Sequence, residues 1–363
     1  MDELTHKLSR IRNLLEESHL DALLLQRVSS FAWATCGAAS FVNTATTMGE
    51  ASLLVTPKGR YLISNNIEAT RLEQEEGLKS QGWEFLTSRW DQPKASIEAL
   101  TKGMHLGADS AFPGAVDLSS ALSRMRAELT PEEGQRFREL GRLCAASMNG
   151  TIRSVRTGQT EHEIAARLAH ESQLRGVQAI VNLIAADERV FAFRHPLPTS
   201  KRLERYAMLV LCGRRWGLVC SITRLVHFGR LPRELREKAE AVAQVDAAFI
   251  SATRPGSVLG QVFQRSVEHY AAQGYPDEWH LHHQGGPAGY EPREYLATSQ
   301  SPEVVLAGQA YAWNPSITGA KSEDTILVGE AGNEILTHIP GWPEIVVKAN
   351  GAQMARPAIL EVE

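Results

Sequence analysis

The chain has 363 residues, is 43% hydrophobic and 22% charged, and carries a formal net charge of −4. Such a length predicts about two domains, and the composition is that of an ordinary soluble globular protein with enough chain to bury a large core. The mild acidity gives no electrostatic reason to expect nucleic acid or an anionic membrane as partner, and the longest apolar runs, "DALLLQ" and "AMLVLCG", fall far short of the roughly 20 residues that span a bilayer.

The N-terminal stretch "MDELTHKLSRIRNLL" mixes acids and bases and lacks the apolar core of a signal peptide. Leu4, Leu8, Ile11, Leu14 and Leu15 recur at helical spacing, so an amphipathic helix is expected to open the chain. "DALLLQ" follows as a buried strand, "ASLLVTPKGRYLIS" as two strands around a Pro-Lys-Gly turn, and "GMHLGAD" as a further short strand. Alternating helix and strand patterns predict an α/β layer with a largely parallel sheet, over residues 1–126. The four cysteines, Cys36, Cys144, Cys212 and Cys220, show no metal or redox spacing. They read as reduced thiols of a cytoplasmic protein.

A second domain is expected over residues 127–363. Thr130, Pro131 and Glu133 form a helix start, and Thr160 with Glu163 forms a capping box for another helix. "AIVNLIA", "RYAMLVLCG" and "WGLVCSITRLVHFG" then read as strands. Residues 231–274 read as helix, broken at "TRPGS", and "QAYAWNPSI" and "EDTILVG" as strands again. Helix, helix, strands, repeated, is the order of an internally duplicated α+β domain.

Five stretches carry a resemblance. "RHPLPT" resembles "HHxPT", "GLVCSITRLVHFG" resembles "GYCSDITRTFxxG", and "HHQGGPAGYE" resembles "GHGIGLEVHE". "AWNPSI" and "GAKSEDTILV" resemble "TIEPGIY" and "GVRIEDTVLV". Taken in this order, over roughly residues 130–335, they are similar to the creatinase, Xaa-Pro aminopeptidase and prolidase superfamily. The resemblance implies a pita-bread catalytic domain preceded by a smaller creatinase-type α/β domain. It also implies a homodimer acting on a small molecule or short peptide.

Peptidases of that superfamily hold two metal ions with Asp, Asp, His, Glu and Glu, because adjacent dications need anionic oxygen ligands and share an activated water. Position by position, the resemblance puts the first Asp at Leu211, or at Cys212 if the register slips by one. It puts the second Asp at Ser221, the His at His283, the first Glu at Asn314 and the second at Glu323. Only His283 and Glu323 keep a ligand of the family's type. A site with one carboxylate and one imidazole does not hold two dications, and no metal or other cofactor is expected. A His-rich rescue stays open, since His280 and His282 would share a face of an extended segment.

The resemblance to creatinase, which also lacks the metals, implies His195 as a general acid/base, a role suited to an imidazole near neutral pH. His283 is then a proton relay or substrate hydrogen bond, and Glu323 a substrate-orienting carboxylate. Tyr290, Glu291, Arg293, Asn314 and Arg224 are candidate substrate contacts. The plainer readings are a turn histidine at His195, a core histidine at His283, and an ion pair of Glu323 with Arg224 or Lys321. His283 is expected to point inward from a strand, with His282 on the opposite face. The functional expectation is a metal-independent hydrolase of a C–N bond, prolidase-like in descent. The alternative is a silent pseudo-peptidase that binds or scaffolds.

Overall fold

The computed structural model describes residues 2–349 and 351–363. The chain divides into two compact units: Met1–Arg126 with Trp216–Leu218, and Ala127–Arg215 with Val219–Glu363.

In the first unit the helix Glu3–Glu17 is capped by Asp2, whose carboxylate accepts the Thr5 N–H, and it buries Leu8, Ile11 and Leu15. The sheet comprises β1 (Ala22–Arg27), β2 (Met48–Val55), β3 (Arg60–Asn65), β4 (Glu84–Ser88), β5 (Leu106–Ala108) and β6 (Val116–Asp117), in the order β4-β3-β2-β1-β5-β6. The expectation of a largely parallel sheet needs correction. β2 runs antiparallel to both β1 and β3, while β3–β4, β1–β5 and β5–β6 are parallel. The short turn at Thr56–Gly59 leaves room only for a hairpin, whereas parallel neighbours need a crossover.

The second unit opens with the helices Pro131–Ile152 and Glu161–Gln173, both started by full capping boxes, Thr130 with Glu133 and Thr160 with Glu163. Three strands follow: β7 (Gln178–Ala186), β8 (Tyr206–Arg215) and β9 (Leu218–Phe228). The helices Arg233–Ala252 and Leu259–Ala272 come next. Then come β10 (Gly285–Ala288), β11 (Ala310–Trp313), β12 (Ser316–Ile317), β13 (Ala320–Lys321), β14 (Asp324–Val328) and β15 (Asn333–Ile335). Two helices and then strands, twice over, is the order the sequence predicted. The strands build two four-stranded sheets, β18-β9-β8-β7 and β10-β11-β14-β15, where β18 (Leu360–Val362) adds parallel to β9. The hairpin of β16 (Glu344–Ala349) and β17 (Ala352–Pro357) escaped the sequence reading, since its partly exposed residues show no clean alternation.

A bridge between Thr223 and Glu323 joins β9 to the segment entering β14. Behind β11, Trp313 stacks on Phe249 at 4.5 Å between ring centroids, and its indole N–H donates to Thr253 Oγ1. This packed aromatic layer gives the neighbouring functional side chains a rigid backing.

β10 depends on its glycines. Gly285 has φ +109°, and a Cβ there would meet the Ala312 carbonyl oxygen at 2.2 Å. Gly285→Ala is therefore expected to destabilise by about 2 kcal/mol or more, since overpacking costs about 1–3 kcal/mol and a forced positive φ about as much again. The midpoint of urea unfolding checks this; an unchanged midpoint refutes it.

Candidate active site

The opening of the stretch "HLHHQGGPAGYEPREY" is not a strand. Glu278–Leu281 forms a single 3₁₀ turn, His282 and His283 follow in irregular backbone, and extended pairing starts only at Gly285. The Glu278 carboxylate accepts from Arg194 at 2.6 Å and from the Thr318 backbone N–H and hydroxyl, both at 3.0 Å. Arg194 directly precedes His195. This one carboxylate therefore brings the His195 loop against the turn that leads to His282.

The far end of the His195 loop is fixed by a second buried carboxylate. Glu161, at the start of its helix, accepts the Thr199 N–H and hydroxyl, the Ala186 N–H and the Arg189 Nε. The Pro198-Thr199 pair that carried the motif is thus a structural clamp, and His195 itself is left exposed.

Three imidazoles converge here. His195 Nε2 and His282 Nε2 are 2.9 Å apart, His282 and His283 stack at 4.3 Å, and His195 and His283 centroids lie 6.0 Å apart. The expectation that His282 faces away from His283 is corrected: no strand exists there to enforce alternation. His280 leaves the group, lying instead at 3.7 Å on the Trp279 ring. Burial, followed by the nearby Lys321 charge, holds the His282 imidazolium down at about 3. Burial and then Arg293 hold His283 at about 4. His195 is lowered too, by burial and then Lys321. All three rings are neutral at physiological pH, while Glu323 pulls weakly in the opposite direction on each.

Glu323 is fully buried, and burial alone would raise its carboxyl; Lys321 and Arg293 outweigh that and hold it at about 2. Lys321 Nζ sits at 2.8 Å, Arg293 at 3.0 Å, and the Thr223 hydroxyl at 2.5 Å. Arg293 also donates to Ser221 Oγ at 3.0 Å and to the Pro292 carbonyl at 2.6 Å. Ser221 Oγ lies 3.3 Å from Cys212 Sγ. Of the two alternatives for the first Asp position, Cys212 is thus the side chain that reaches the site. Its thiol is pushed up to about 11 by burial, with the Glu323 charge next, so it is a neutral neighbour and no thiolate ligand.

These donors do not fit a pair of dications. The positions implied for five ligands present a thiol, a hydroxyl, an imidazole, an amide and one carboxylate. The guanidinium of Arg293 stands hydrogen-bonded to two of them, Ser221 and Glu323.

The remaining candidates separate. Arg224 is committed to protein partners. It is buried, and it donates to Asp324 Oδ1 at 2.8 Å and to the carbonyls of Thr223, Glu323 and Thr337. Its ion pair is with Asp324, not Glu323. Tyr290 points its hydroxyl at Glu133, 2.6 Å away, and so ties its loop to the helix Pro131–Ile152. The charge of Glu291 is felt by Arg214, behind the strand. Asn314 is buried, with Oδ1 lacking a hydrogen-bond partner; His282 Nδ1, His283 Nδ1 and Arg293 Nε share that condition. A buried polar atom without a partner is uncommon in a folded protein, so each of these four can still accept or donate a hydrogen bond. Beside them a small slot is lined by Val190, Phe193, Met208, His282 and Lys321. The sequence offers His282 only as part of a His-rich metal rescue and not as an acid/base or substrate contact, although it replaces the glycine of the "GHG" pattern, a readable signal.

Removing Glu323 leaves two buried cations facing each other. Glu323→Gln is expected to destabilise by about 3–5 kcal/mol, the range for breaking a buried ion pair from one side. Lys321→Met, which leaves Arg293 to neutralise the carboxylate, should do less harm. Equal losses in chemical denaturation would contradict this ordering.

The model of metallopeptidase family M24 matches residues 135–330. The Xaa-Pro dipeptidase of Pyrococcus horikoshii is 24% identical over 357 residues, covering 93% of this chain and 98% of that one. A solved Xaa-Pro dipeptidase from Bacillus anthracis superposes with a TM-score of 0.80 at 19% identity, over 99% of this chain and 100% of that one. The prolidase of Pyrococcus horikoshii gives 0.79 at 19% identity, over 92% and 98%. With the family model spanning more than half of the sequence and the pita-bread layout in place, this chain belongs to metallopeptidase family M24.

Proposed function

We propose that this chain is a prolidase-like hydrolase that cleaves a C–N bond of a short peptide or other small polar substrate without the family's two-metal centre. The observation that carries the reading is the Arg293 guanidinium, bonded to Ser221 and Glu323 where two metal ligands would stand, beside three neutral imidazoles.

His195 is the acid/base. It is exposed to incoming substrate and neutral, so its free nitrogen can take a proton from water as the water oxygen attacks the carbonyl carbon. The same proton then goes to the leaving nitrogen as the C–N bond breaks. His282, at 2.9 Å, orients the His195 ring and can share the proton. His283 relays or binds. Lys321 lines the slot beside His282 and lends positive charge to an oxyanion or a substrate carboxylate. The reading includes a homodimer in solution, which light scattering at micromolar concentration checks.

A second reading, a silent binding protein, draws on the same plug: both Glu323 oxygens are already taken by Thr223, Lys321 and Arg293. The two readings part on turnover. The chain, stripped with chelator, is offered a panel of Xaa-Pro and other dipeptides and amidino compounds. The hydrolase reading expects cleavage that persists in chelator and is not raised by manganese. His195→Ala should lower it by about 100-fold or more, the usual contribution of a positioned acid/base, and His283→Ala should also abolish it. Activity that appears only with added manganese refutes metal independence. Calorimetric binding without cleavage favours the silent protein.

A further inference from the structure

We propose that His195, His282 and His283 form a site for a single borderline-soft divalent ion, of the zinc type, which shares the position of His283 with the family's pair of sites but uses none of its carboxylates. Among the described residues these three make a group in which one ring nitrogen from each lies within 4.8 Å of the others. His195 and His282 already face each other Nε2 to Nε2 at 2.9 Å. Two imidazoles bonded nitrogen to nitrogen require one to accept, so at least one ring offers a lone pair. The Nδ1 atoms of His282 and His283 are buried without a partner, so no protein group competes for them.

A tetrahedral zinc ion, with Zn–N of about 2.0–2.1 Å, sets its nitrogens about 3.3 Å apart. The close pair must open slightly and the third ring must swing in. His195 is exposed, so its side chain can open the close pair and turn toward His283. Its exposure also supplies the entry path and leaves a fourth position to water.

The chemistry selects the ion. Imidazole nitrogens suit zinc, copper, nickel and cobalt; magnesium and manganese want carboxylates and water. Glu323, the carboxylate whose charge acts on all three rings, is committed to Thr223, Lys321 and Arg293. Those two cations repel an incoming dication and Glu323 offsets one of them. The site therefore binds less tightly than an all-protein structural zinc site. One consequence rests on the proposed function: the ion takes the His195 lone pair that the acid/base step uses, so zinc inhibits where the family's centre needs metal.

The test uses the full chain, stripped with chelator and titrated with Co2+ as a spectroscopic probe, with Zn2+ as competitor. The proposal expects one ion per chain and the intense visible bands of low-coordinate cobalt. His282→Ala and His195→Ala should each weaken binding by about 10-fold or more, at least the loss seen for outer-sphere partners of metal sites. His195 lies on an exposed loop, so its variant folds even if the other does not. A pale spectrum like that of hydrated cobalt, two ions per chain, or full affinity in both variants would overturn the site. None of these readouts needs turnover, so failure of the hydrolase reading is separate. With a substrate in hand, zinc at saturation should suppress cleavage; zinc that stimulates it would overturn the competition.

Discussion

The ionised carboxylate of Glu323 is the constraint around which the second unit is arranged. A carboxylate with no solvent contact needs compensation worth several kcal/mol. In peptidases that resemble this chain, metal ions provide it. Here the compensation is covalently attached: Lys321 from the neighbouring strand, Arg293 from the glycine-led loop, and the Thr223 hydroxyl from β9. Drawing Arg293 inward fixes the rest of its loop. Glu294 then accepts the Tyr290 N–H at 2.7 Å, and Tyr290 reaches Glu133 on the helix Pro131–Ile152. One buried charge thereby couples two sheets, a loop and a helix.

The next residue shows how the strand distributes charge. Asp324, adjacent to Glu323, turns the other way and joins Arg224 and Arg356, each within 2.8 Å, with Thr337 donating as well. Arg356 continues to Asp246, which also takes a hydrogen bond from Ser322. Two adjacent acids on one extended segment thus serve opposite faces, one toward the site and one toward the core, as a period of two requires. Arg224 belongs to the core-facing network. Its place in an "ITR" motif made it look functional, but its hydrogen bonds go to main-chain carbonyls and Asp324.

The fold was legible because its signals are local and redundant. The capping boxes at Thr130 and Thr160 each mark a helix start within four residues, and apolar runs name β7, β8 and β9 directly. The site was legible where a side chain sits in a fixed motif, as at His195, His283 and Glu323. It was obscure where position depends on irregular backbone. His282 turns inward because a 3₁₀ turn, held by Glu278, replaces the strand that would have turned it out. Arg293 could be listed from sequence, but its partners 72 and 30 residues away could not. Nor could sequence decide between Leu211 and Cys212, because they are consecutive residues of β8 and a slip of one residue in the motif exchanges the two faces.

The losses at the metal positions reinforce one another. The Ser221 hydroxyl accepts a hydrogen bond from Arg293, and Glu323 attracts its guanidinium. Once Arg293 is seated, an aspartate restored at 221 would meet it at about hydrogen-bond distance and form a second ion pair, a favourable charge-assisted contact, instead of a vacant ligand. A dication would have to displace an arginine that is buried, bonded to two side chains and a carbonyl, and part of the loop's own packing. Restoring carboxylates at single positions therefore strengthens the plug. Recovery of a two-metal site would require removal of Arg293 together with gain of at least three anionic ligands, whereas removal of Arg293 alone leaves Glu323 with one cation fewer.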